Sequence, residues 1–139
     1  MSPRLSNRNR QLLSRSLPVV QARKHEVIDQ IQANLMLGEL DQPHGQSEIN
    51  AMILVALLLN QVNHVLETGE WDDLDHIQDE HSALNITGRT YSRFGDVLAP
   101  ILRDVLGADA PSEVGGAWTD MFWEVIRQSR SRQRLREAA

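Results

Sequence analysis

Apolar residues return every three or four positions along nearly the whole of this chain, and that rhythm admits helices and little else. Val20, Val27, Ile31 and Leu35 fall on one helical face, with Ile28 beside them. Tyr91, Gly95, Leu98, Leu102 and Val105 make a second stripe, and Val114, Trp118, Met121, Phe122 and Val125 a third. Strict alternation over five or more residues is absent and β-branched runs are short, so no strand competes. The expected fold class is all-α.

Punctuation divides the chain into about six helices. A first segment covers residues 7–15, and Ser16 and Pro18 suit the cap and first turn of a second. The stretch GELDQPHGQS, from Gly38 to Ser47, breaks that helix. A third, over 46–66, is apolar nearly all round in its middle and should lie centrally. A fourth is expected over 71–84. A fifth runs over 88–106, with Thr87 as N-cap, Gly107 as stop and a kink or break at Pro100. A sixth starts near Asp109, with Pro111 in its first turn.

The chain of 139 residues reads as a single domain, 1–139. It has no cysteine, which removes disulfides and thiolate sites and makes the cytoplasm the plain expectation. The longest apolar run, AMILVALLL, is too short for the roughly twenty residues of a membrane span, so no membrane association is expected. Charge is segregated. Residues 1–25 carry six basic side chains and no acid, and residues 127–139 carry five arginines against Glu137. The basic ends, at 1–8 and 130–139, are expected to fray from an acidic body.

Three chemistries find little support. The acidic stretch ETGEWDDLDHIQDE lacks the alternating ligands and central Gly of a calcium loop, and reads as a solvated helix face. The tail RQSRSRQRLRE could offer phosphates a basic patch, yet no base-reading motif or interleaved aromatic accompanies it, so nucleic acid is not an expected partner. No phosphate-cradling glycine loop, Ser-His-acid set or nucleotide fingerprint is present.

The stretch DEHSALNITGRTY is the exception. Trp71, Leu74, Ile77 and His81 share a helical face, which puts an imidazole on a buried stripe. Ten residues later Tyr91, the one tyrosine, opens the inner face of the next helix. Two polar groups turned inward at a corner either satisfy each other within a core or serve a metal.

The wider stretch EHSALNITGRTYSRFGDVLAPILRDVLG, followed by VGGAWTDMFW, resembles the C-terminal half of bacterial globins, above all the globin domain of flavohaemoglobins. The resemblance rests on His81, Ile86, Tyr91 and Gly95 in that spacing, then Leu98, Leu102, Leu106 and Gly107, then the pair Ala117–Trp118. It is clear over residues 77–123 and weaker through SLPVVQ and GQSEINAMILVA. It implies a globin-like fold with a shortened corner between the second helix and the distal third helix. It also implies haem b, with His81 on the iron and Tyr91, Ile86 and Leu98 around it. A diatomic gas, oxygen or nitric oxide, would then be bound or sensed on the opposite face. On the distal side, anchoring on SLPVV brings Gln32 to the position where relatives carry a ligand-binding Tyr. Anchoring on GQSE brings Gln46 to that of their Gln, whereas counting back from His81 brings Ile49 there. His44 lies close enough in sequence to act as a sixth ligand.

The chain departs from the family pattern in three places. No aromatic residue precedes Trp71, so the porphyrin-stacking Phe of the corner is missing, and Leu37 or Leu40 would have to fill its space. The carboxylate expected near His81 from the last helix is replaced by Gln133, with Glu137 one turn on. No reductase domain is expected after this chain, so nitric oxide dioxygenation would need a separate reductase. The alternative expectation is a haem-free globin-fold sensor or protein-interaction domain.

Overall fold

The computed structural model describes residues 5–38 and 45–138. Its helices, in order, are α1 (Asn7–Ala22), α2 (Lys24–Gly38), α3 (Gln46–Thr68), α4 (Ile77–Ala83), α5 (Gly88–Leu106) and α6 (Val114–Ala138). No strand occurs among the described residues. The short corner before α3, with Leu40 and His44, lies outside them.

The first boundary differs from the sequence expectation. α1 runs straight through Ser16 and Pro18 and ends at Arg23. Ser16 is no cap: its Oγ donates to the Leu12 carbonyl at 2.7 Å and accepts from Trp118 Nε1 at 2.8 Å, bridging α1 to α6. Pro18 is tolerated because it sits on the exposed face, where water can satisfy the Ser14 carbonyl it leaves free. Pro100 is exposed in the same way, and α5 does not break there. Nor does Asp109 cap α6. The Val114 N–H bonds the Pro111 carbonyl at 3.1 Å in a turn, and the helix starts only then.

α3 lies at the centre, packed against α1, α2 and α6, while α5 pairs with α2 and α6. At 23 residues α3 is long and apolar enough to cross a membrane; its buried Ala51, Leu54, Val55, Leu58, Val62 and Val65 account for that composition as core. It is not apolar-buried all round, since Ile49 and Met52 face outward. The aromatic residues gather on the α5–α6 side, where the Phe94 and Phe122 ring centroids are 4.6 Å apart and those of Phe122 and Trp123 5.1 Å. Gly95 makes room for this stack, because a Cβ there would lie 2.8 Å from the Trp123 ring.

Candidate functional site

α4 is shorter than its apolar stripe suggests. Residues 71–76 are not helical, and in them the Asp73 and Asp75 N–H groups bond the preceding Asp72 and Asp73 carboxylates, each at 2.9 Å. Short acidic side chains thus compete with helical bonding until Ile77. The helix then closes on His81 itself. The His81 carbonyl accepts from Leu84 N at 3.1 Å and from Ile86 N at 2.8 Å. Asn85, at φ 60°, supplies the left-handed residue that this ending needs. Ile86 turns into the core, and α5 begins with Thr90 Oγ1 accepting from the Thr87 N–H at 3.1 Å. One tight corner therefore sets His81 and Tyr91 side by side.

Both residues are 2% exposed, with His81 Nδ1 2.6 Å from the Tyr91 hydroxyl. Gln78 Nε2 donates to that hydroxyl at 3.3 Å and to Ser129 Oγ at 2.8 Å, and Ser129 in turn donates to the Ile126 carbonyl at 2.8 Å. The Arg130 guanidinium lies over the Tyr91 ring, 5.3 Å from its centroid. Burial lowers the His81 pKa from 6.5 to about 4 and raises that of Tyr91 to about 12. The pair is therefore neutral at neutral pH. Among the described residues the imidazole's other nitrogen, Nε2, makes no hydrogen bond.

No family model, curated protein or solved structure matches the chain.

The wall facing this corner is α3. No Cα of α3 comes within 8 Å of one in α4, yet the two sides are stitched at both ends. Gln46 Nε2 donates to the Leu84 carbonyl, just beyond α4, at 2.7 Å. At the other end Gln61 Oε1 accepts from the Asp72 N–H at 3.1 Å, and Asn60 Nδ2 donates to the Asp72 carboxylate at 3.0 Å. Along the same face of α3 lie Asn50 and the half-buried Ile53 and Leu57. Two buried donors here have no partner, Asn50 Nδ2 and Trp71 Nε1.

Of the residues singled out from sequence, His81, Tyr91 and Ile86 come together and Gln46 bonds the adjoining loop. Leu98 lies deeper, with Val55, Leu58 and Trp118 at the centre of the molecule. Gln32 is half-buried on α2 and makes no hydrogen bond to this cluster. Ile49 is 44% exposed and Leu37 70%. Gln133 makes no hydrogen bond to the His–Tyr pair and Glu137 is exposed, so the groups completing the pair are Gln78 and Ser129. Gln78 is one helical turn before His81, a spacing that was legible. Ser129 and Asn50 carried no such signal, because each is placed by packing across the fold. Two arginines of α6 are engaged by the acidic corner, Arg132 with Asp75 at 3.0 Å and Arg136 with Asp79 at 2.7 Å.

Proposed function

We propose that the chain is a haem-binding domain of bacterial globin type, with His81 as the iron's protein ligand and a diatomic gas as its substrate. The observation that carries this reading is the division of labour on one buried imidazole: Nδ1 is held at 2.6 Å by Tyr91, and Nε2 is left without a protein partner. Metal-bound histidines have that form, one nitrogen oriented by a hydrogen bond and the other offered to the metal. Burial keeps the ring neutral, and only a neutral ring can ligate. Among the described residues no three His, Cys, Asp or Glu side chains gather. A metal held by this lone imidazole therefore brings its other ligands with it, as porphyrin iron does. The spacing from His81 to Gly95 supports the same reading.

The haem would supply the affinity for the gas; the chain orients one ligand and excludes water. Gln78 lets the proximal relay run in either direction. With Nε2 of Gln78 donating to Tyr91, the phenol's own hydrogen goes to Nδ1 of His81. Turning the amide makes Gln78 Oε1 the acceptor for Tyr91, and Nδ1–H then donates to the phenol oxygen, leaving a lone pair on Nε2. Every member of the relay is neutral, so it pushes less electron density toward the metal than a carboxylate would. That favours reversible binding over activation of the ligand.

A haem-free sensor or interaction domain is the second reading, favoured by the absence of any aromatic before Trp71. Titration with hemin separates the two. The wild type should show a saturable Soret band at one haem per chain, and His81→Ala should lose it or bind at least tenfold more weakly. Featureless, non-saturating spectra for the wild type would leave the second reading standing.

A further inference from the structure

The central helix α3 turns a face without full charges to solvent. From Ile49 to Leu66 the chain has no Asp, Glu, Lys or Arg. The outward stripe of this stretch runs through Ile49, Met52, Ala56, Asn60 and Asn63. Ile49 is 44% exposed and Met52 50%. The outer face of a surface helix ordinarily carries charge, and an uncharged, partly apolar one marks an interface. Beside the stripe lies an open groove of about 390 Å³, where α3 meets the junction of α1 and α2. Gln21, Lys24, Ala56, Leu59, Asn60 and Asn63 line it. At about 100° per residue, Glu48, Met52 and Leu59 fall on one flank of the line through Ala56, the flank of the groove.

We propose that this stripe is the interface of a homodimer, with α3 packed antiparallel on α3 of a second copy about a two-fold axis at Ala56. An isologous contact needs a projection and its recess on one surface, placed so that a half-turn exchanges them. Met52 and the groove meet that condition. With the axis at Ala56, the residue four before it faces the residue four after it on the other copy. Met52 of each copy therefore enters the groove of the other, between the partner's Leu59 and Asn60. Glu48 then reaches the far end of that groove, at the level of the partner's Asn63, on the side where the partner's Lys24 lies. Neither Glu48 nor Lys24 has a side-chain partner among the described residues, and the symmetry pairs them twice. The small Ala56 at the crossing lets the helix axes approach to about 8 Å. Asn50 and Leu57 stand on a different face of α3, toward the His81 corner, so this contact is independent of haem.

Sedimentation equilibrium of the full chain should show a monomer–dimer equilibrium with a dissociation constant on the order of 10 μM. Met52→Glu, at an exposed position, should keep the helical circular-dichroism spectrum and weaken association about a hundredfold or more, because each copy would bury a carboxylate in the other. Lys24→Glu should weaken it about tenfold, and Lys24→Glu combined with Glu48→Lys should restore the wild-type constant. The chain has no native cysteine, so Ala56→Cys gives a single thiol at the axis. Two such thiols lie within disulfide reach, and mild oxidation should link the copies. A wild type that stays monomeric at about 200 μM overturns the proposal. A dimer that survives Met52→Glu, or that Ala56→Cys fails to cross-link, overturns it in favour of another face.

Discussion

A buried imidazole ties the stability of this fold to pH in a definite direction. The His81 pKa falls from 6.5 to about 4 on burial, so the unfolded chain takes up the proton more readily than the folded one. The stability contributed by keeping this ring neutral is complete above pH 6.5 and drains away as pH falls toward 4. The difference is worth on the order of 3 kcal/mol. Denaturant midpoints measured from pH 7 to pH 4 should fall steeply for the wild type and much less for His81→Gln. Equal slopes would mean that the ring is not held neutral by burial. Asp72, Asp79 and Glu113, whose hydrogen bonds lower their carboxyl pKa values, lose their contribution mainly below that range, as pH falls through their lowered values. What the sequence offered at this scale was the inward direction of His81 and Tyr91. The 2.6 Å bond between them follows from the left-handed Asn85 and the turn it closes, a backbone detail that side-chain periodicity does not encode.

Helix contacts depend on two adjacent glycines with opposite roles. A Cβ on Gly115 would sit 2.8 Å from the Ala99 Cβ, 3.0 Å from its Cα and 3.1 Å from its carbonyl oxygen, so α5 and α6 would have to move apart. A Cβ on Gly116 would meet nothing within 4 Å. Gly115→Ala should therefore destabilise by about 1–3 kcal/mol through overpacking. Gly116→Ala should stabilise by up to about 1 kcal/mol through helix propensity. Equilibrium unfolding of the two variants checks the signs, and the same sign for both would contradict the close α5–α6 approach. The helices were legible in the sequence; their ends were less so. Ser16 and Pro18 resemble a helix start, but Ser16 is engaged by Trp118 from α6, a partner 102 residues away that no local pattern reveals. The apolar stripe from Trp71 correctly marks an inward face, while the aspartates within it keep the chain out of a helix until Ile77.

Across the molecule, the face of α3 and the segment 71–84 are joined at two points by glutamine side chains, Gln46 to the Leu84 carbonyl and Gln61 to the Asp72 N–H. His81 lies on one side and Asn50 on the other, each fully or almost fully buried. The all-α class and the order of the helices could be read from periodicity, because apolar spacing dictates which faces must be covered. The pairing of α3 with this segment could not, since Gln46–Leu84 and Gln61–Asp72 are fixed only when the helices pack. The central claim is that the free Nε2 of His81 is a ligand to haem iron. Cavity complementation tests it most directly: His81→Gly is loaded with hemin and titrated with imidazole. The account predicts that the variant's spectrum is altered and that free imidazole, entering the space left by the side chain, restores the wild-type spectrum. A variant whose haem spectrum equals that of the wild type without imidazole would contradict it.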